Sequence, residues 1–178
     1  APDALRDGPV EWKTAQQVWE RYRIGTAADW PSETPFVDGQ FPAKDFDTLV
    51  RAHVTRRRST DLVEEAGIVA AIRQIGPCHV IAHSHGAAMM PAVTTEVESL
   101  VRRTVLIEPL PFSPSPSLVA SNTLLVWGDH TDGHAIWSHV VPTYRACDAT
   151  QLCLPDEGIR GNSHLPMCDR NSDIVLRL

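Results

Sequence analysis

The pattern of apolar and polar positions splits the chain into a helical front part and a back part in which strands and helices alternate. From Glu11 to Arg23 the apolar residues recur at helical spacing, with Val18, Trp19 and Tyr22 available to one side. The next stretch, TAADWPSETPFVDGQFPAKD, carries three prolines and several aromatics and is expected to be irregular. Phe46 to Arg57 predicts a second helix. Ser59, Thr60 and Asp61 are N-cap candidates for DLVEEAGIVAAIRQIG, an amphipathic helix that Gly76 should end.

Pro77 resets the chain. CHVIAHS is a short, mostly apolar run of the kind buried in a parallel sheet. Gly86 to Leu100 predicts a helix opened by small residues. TVLIEP is a second strand, FSPSPSLVASN a loop and TLLVWGD a third strand. A helix from His134 to Ala146, a fourth strand TQLCLP, the polar loop DEGIRGNSHLPMCDRNSD and a last helix in SDIVLRL complete the pattern. Strands alternating with helices predict an α/β fold with a right-handed parallel sheet.

In such a sheet, reactive groups gather at the carboxyl ends of the strands. Ser84, Glu108 and Asp129 each end a predicted strand, and His164 lies in the loop after the fourth. Ser84 stands in AHSHG, the nucleophile-elbow pattern with Ala82 in place of its first glycine. An elbow needs small residues two before and two after the serine, which Ala82 and Gly86 provide. It lifts the hydroxyl off the sheet and makes the backbone N–H of His85 an oxyanion-hole donor. A serine hydroxyl needs a base and a group to orient that base. His164 is the expected base, in a loop that Gly161 and Asn162 allow to bend. The acid is either Asp129 or Glu108. His83 and His85 flank the serine on a stiff turn and are expected to wall a pocket, while His130, His134 and His139 are expected to be structural or exposed.

Composition narrows the field. The chain has 178 residues, enough for a single core, and a formal net charge of -6 that argues against nucleic-acid or acidic-membrane partners. Arg56, Arg57 and Arg58 form its basic run, read as a solvated helix end. No apolar stretch reaches the ~20 residues of a membrane span. The start APDALRDGP could be a mature end left by processing. Cys78, Cys147, Cys153 and Cys168 form no CxxC pair, which disfavours structural zinc. As an even set they allow two disulfides in a secreted protein, or four reduced thiols. No cofactor or metal is expected.

The elements IAHSHG, VLIEP, LLVWGDH and LPDEGIRGNSHLPMCDRNSD resemble the α/β-hydrolase fold. They look most like a group of secreted microbial carboxylesterases in which Gly-Asn-Ser-His, a short apolar stretch and Asp-x-Asn surround the catalytic histidine. The resemblance spans roughly Gln40 to Ile174, and DGQFP also matches, in a segment that would form a lid. It implies Ser84 as nucleophile, His164 as base and Glu108 as acid, with Asp129, the position most hydrolases of this fold use, becoming a neighbour in its turn. It implies secretion to the extracellular space or periplasm. It further implies a division into a helical lid and connection over residues 1–58 and a C-terminal hydrolase core over 59–178.

Two departures from the family stand out. The family's N-terminal half, with its first strands and a glycine-rich loop giving the second oxyanion donor, has no counterpart before Ser84. A second polypeptide is therefore expected to supply it, the alternative being residues of the same protein outside this sequence, and the sheet here is the C-terminal part of a hydrolase sheet. The connection ACDATQLCLP is also short. The expected substrate is a small ester or lactone, in a pocket shaped by His83, Trp19, Phe41 and Leu165. Two further readings remain open: metal-assisted hydrolysis by the His83/His85 pair with Asp129, His130 and Asp132, and a hydrolase-like interaction subunit without turnover.

Overall fold

The structure, a computed structural model, describes residues 9–57, 60–111 and 122–178. Most of the loop FSPSPSLVASN, the basic residue Arg58, the cap candidate Ser59 and nearly all of the start APDALRDGP lie outside the described residues. The chain divides into two compact units: Ala1–Glu11, Arg56–Val126 and Val140–Leu152 form one, and Trp12–Thr55, Trp127–His139 and Cys153–Leu178 form the other.

The first unit is built on a four-stranded sheet. β3 (Cys78–His83) pairs in parallel with β4 (Val101–Ile107), β4 pairs in parallel with β5 (Thr123–Trp127), and β6 (Thr150–Cys153) follows in the order β3-β4-β5-β6. The interior position of β5 explains its composition, since Leu125 is fully buried and Val126 is 5% exposed. β3 heads the strand order, and Ile81 on it is 71% exposed. Two helices accompany these strands. α3 (Asp61–Ile75) ends at Gly76, whose φ of 85° only glycine adopts cheaply. α4 (Ser84–Val97) packs on β3, β4 and α3. It buries Ala87, Ala88, Met89, Met90, Val93 and Val97.

In the second unit, α1 (Ala15–Arg21) and α2 (Phe46–Ala52) hold a core of Val18, Trp19, Ile24, Phe41 and Phe46. Trp19 meets Trp30 and Phe46 edge-on at 5.8 and 5.1 Å between ring centroids, the geometry aromatic quadrupoles favour. Leu165 packs against this core. The segment 12–55 therefore shares a unit with the histidine loop.

Several boundaries differ from the sequence pattern for local reasons. The helix expected from Glu11 starts at Ala15, because Thr14 and Gln17 form a reciprocal capping box. Val10 and Glu11 instead form β1, antiparallel to β2 (Arg56–Arg57). The second helix stops at Ala52, where His53, Val54 and Thr55 are weak helix formers. α4 starts at Ser84 rather than Gly86 and ends at Val97. The helix expected from His134 starts later, as α5 (Trp137–Arg145), because the His134 ring accepts from the N–H groups of Ile136 and Trp137 and caps it. Only Ser172–Val175 of the last segment is helical, as α6.

All four cysteines are free thiols, so the expectation of two disulfides is corrected. Cys147 is buried and Cys168 exposed. Among the described residues no helix is long and apolar enough to cross a membrane.

Candidate active site

Ser84 is the first residue after β3 and has φ 54°. That left-handed backbone costs a residue with a Cβ roughly 1–2 kcal/mol. His83 before it is extended, at φ -125° and ψ 143°, so the chain turns from strand to helix within one residue. This is the backbone of an elbow. Glu108, the first residue after β4, has φ 51°. His83 and Ile107 are register partners in the β3–β4 pair. Ser84 and Glu108 therefore leave neighbouring strands side by side, both in left-handed backbone.

Hydrogen bonds fix both turns. The Glu108 N–H donates to Val126 O at 2.9 Å, continuing the sheet one residue past the strand. The Leu110 N–H donates to Ser84 O at 3.2 Å, and the Tyr144 hydroxyl donates to Leu110 O at 3.1 Å. Burial holds the Tyr144 hydroxyl well above its ordinary range, so it acts as a fixed donor. Glu108 is fully buried at the sheet's edge. His85, second in α4, carries one of the helix's first N–H groups, which have no partner within the helix and point out of its end.

The other unit holds His164, which is 1% exposed. Its N–H donates to Tyr22 O at 2.9 Å, and its ring lies against Tyr22 and Trp137, with centroids 5.2 and 4.7 Å away. Trp137 is itself held by an Nε1–H bond to Arg21 O at 3.0 Å and by the Arg23 guanidinium over its ring. The residues around His164 form a closed polar cage. Asp169 accepts from the Ser163 N–H at 2.8 Å, the Ser163 hydroxyl at 2.7 Å and the Asn162 amide at 2.9 Å. Asn162 and Asn171 exchange amide bonds, and the Leu165 N–H donates to Ser163 Oγ. Burial pushes the Asp169 carboxyl above its usual range, and these donors only partly offset that.

Asp129 is a brace for the same loop. Its N–H donates to Asn162 O at 2.8 Å, and its carboxylate accepts from the N–H groups of His130 at 2.7 Å and Gly161 at 2.9 Å. Gly161 has φ 77°, and a Cβ there would strike the Asp38 carbonyl. Its own carbonyl accepts from Gln40 N–H, and Arg170 bonds Gly39 O and Gln40 O. DGQFP is thus laced to the histidine loop. His130 stacks on Phe36, with centroids 3.9 Å apart, and bonds Asp38 at 3.0 Å.

Solved structures similar to this chain include the following two. One, described as a novel bacterial esterase, matches with a TM-score of 0.83 at 22% identity, covering 96% of this chain and 58% of that one. The other, a predicted CIB-like hydrolase from Thermoplasma acidophilum, matches with a TM-score of 0.50 at 16% identity, covering 66% and 59%. The fold is that of the α/β-hydrolases. No protein-family model and no curated protein matches the chain. It spans somewhat less than three fifths of the length of either hydrolase structure.

Within the α/β-hydrolase fold, Ser84 and Glu108 belong to one unit, and Asp129 and His164 to the other. Trp19 and Phe41, expected to line a pocket, are 1% and 5% exposed and pack into the core of their unit, where apolar burial holds them. The ligand set of the metal-assisted reading does not assemble as expected. Among the described residues, His85 lies with Asp61 and Glu64, and Asp129 and His130 lie with Asp38, while His83 and Asp132 join neither group. Sequence reasoning missed Tyr22 and Trp137 as the walls of the His164 ring. Nothing in the spacing links them to it, since they come from elements far away in the chain.

The Asp129 brace has a pH signature. Burial pushes its carboxyl up, but the Gly161 and His130 N–H groups, with the His130 and Arg160 charges, outweigh burial and leave it below its ordinary value of 3.8. A depressed carboxylate contributes stability that is full above the unfolded value and lost as pH falls through the folded one. Chemical denaturation at a series of pH values should therefore show Asp129→Asn losing less stability than the native chain below about pH 3.8, and a parallel loss in both would remove the brace.

Proposed function

We propose that the chain carries the catalytic residues of a serine carboxylic-ester hydrolase. The observation that carries this reading is the left-handed backbone of Ser84 at the junction of β3 and α4. Strain of that kind at a residue with a Cβ persists only where the surroundings over-determine it, and it clusters at functional sites. Similarity to the structure described as a bacterial esterase agrees with it.

In this reading Ser84 Oγ attacks the carbonyl carbon of an ester while His164 takes the hydroxyl proton. The tetrahedral oxyanion is met by the His85 N–H at the end of α4. Collapse breaks the bond to the leaving alcohol, which receives the proton back from His164. Water then attacks the acyl-enzyme, giving its proton to His164, and the acid leaves as Ser84 Oγ is reprotonated. Glu108 holds the imidazole in one tautomer and stabilises its positive charge. Three features support these roles. Glu108 lies beside Ser84 in register and is fully buried. His164 is buried between aromatic rings. Asp129 already commits both carboxylate oxygens to backbone N–H groups, which favours Glu108 as the acid.

The substrate is a small ester or lactone, with His83 and Leu165 beside the reacting groups. The protein is of the secreted carboxylesterase kind, with the Gly-Asn-Ser-His motif as its mark. Further strands beside β3 and the second oxyanion donor come from a second polypeptide or from further residues of the same protein. The exposed Ile81 on β3 and the unmatched two fifths of the similar hydrolases support that part.

A fluorophosphonate should add one adduct to the intact mass, at Ser84, and none to Ser84→Ala. Protein purified whole from its source that stays unlabelled would defeat the nucleophile assignment. Steady-state esterase rates should fall further in Glu108→Gln than in Asp129→Asn, by roughly 10⁴-fold for a lost triad orienter. The opposite order transfers the acid role to Asp129. Native mass spectrometry of protein purified from its source should show mass beyond the 19.6 kDa of these residues, from a companion polypeptide or a longer chain, and a lone, fully active 19.6 kDa species would exclude both.

A further inference from the structure

Asp61, Glu64 and His85 each offer one ligand atom, and all three atoms lie within 4.8 Å of one another. Asp61 opens α3, and Glu64 follows one turn later on the same face. His85 is the second residue of α4, which packs on α3. His85 Nε2 stands 3.4 Å from Asp61 Oδ1 and 3.6 Å from Glu64 Oε2. Both separations exceed the roughly 2.7–2.9 Å of a charge-assisted N–H···O bond. The nitrogen is shielded from solvent and has no hydrogen-bond partner among the described residues.

These distances have another meaning. Ligand atoms about 2.0–2.1 Å from a tetrahedral zinc ion sit about 3.4 Å from each other. One imidazole nitrogen and two carboxylates are a donor set zinc accepts, and the two negative charges match a divalent ion. The support around the donors fits as well. The Thr60 hydroxyl bonds Glu64 Oε1, leaving Oε2 turned to His85. The side chains of His85, Asp61 and Glu64 are 26%, 34% and 44% exposed, which gives the ion an entry path and a water for its fourth position.

We propose that Asp61, Glu64 and His85 bind a zinc ion that staples the first turns of α3 and α4, one residue from Ser84. The ion is a structural clamp. This goes beyond the esterase reading and does not depend on it. The second acid-and-histidine group, Asp38, Asp129 and His130, has its donors in use: His130 bonds Asp38 at 3.0 Å, and both Asp129 oxygens accept N–H groups. It therefore serves as the control.

The test is calorimetric titration of the chain with zinc chloride, with thermal unfolding measured beside it. The expected result is one zinc bound by the native chain and by His130→Gln, a raised unfolding temperature in zinc, and loss of both effects in His85→Gln and Glu64→Gln. Glu64 is surface-exposed, so Glu64→Gln decides the matter if His85→Gln does not fold. Absence of binding to the native chain overturns the site, as does binding that survives Glu64→Gln. The readout is occupancy rather than turnover, so a failure here leaves the esterase reading standing, and the reverse.

Discussion

The candidate site is built on one backbone constraint: the residues that follow two neighbouring parallel strands are held in left-handed conformation. Ser84 and Glu108 carry side chains where glycine would be at ease. The sheet holds them there. Parallel pairing runs through His83 and Ile107, the Glu108 N–H stays in the ladder with Val126, and Leu110 returns to clasp the Ser84 carbonyl. Strain that relaxed would swing a hydroxyl or a carboxyl by ångströms. A buried, hydrogen-bonded sheet edge keeps each in one position.

The histidine loop solves the same problem differently. No regular element holds His164. A buried carboxylate collects the donors of Asn162 and Ser163, and Asp129 clamps the loop from its other side. Partly satisfied, such a network would be worse than an apolar core; with its donors and acceptors matched, it specifies a single loop shape. Gly161 completes it, because the loop passes too close to the Asp38 carbonyl for any side chain.

The sequence made the sheet and the elbow legible for a physical reason. β3, β4 and β5 are short apolar runs between helices, and a small residue on each side of Ser84 is a strong constraint on a tight turn. Asp-x-Asn after the histidine was visible as a motif, and its meaning as a cage emerged from three-dimensional bonds. Less legible were features set by contacts distant in the chain. Trp19 and Phe41 read as pocket residues because an aromatic-rich segment near a site suggests a lining, whereas the cheaper place for their apolar area was a core with Phe46 and Ile24. The helix at Glu11 was overextended because periodicity alone does not register that Thr14 and Gln17 cap each other.

The proposed choice of Glu108 over Asp129 rests on bonding capacity where position leaves both open. Both follow strands of the same sheet, and sequence spacing treats them alike. A carboxylate that orients an imidazole needs an oxygen facing the ring. Asp129 gives one oxygen to His130 N–H and the other to Gly161 N–H, and its lowered proton affinity follows from those donors and the nearby charges. Reorienting this carboxylate toward an imidazole would strain the bonds it accepts from those two backbone donors. Glu108 has a longer side chain, full burial and a place beside Ser84. In the proposed division of labour Asp129 shapes the loop, as its hydrogen bonds show, and Glu108 is left for the role of triad acid.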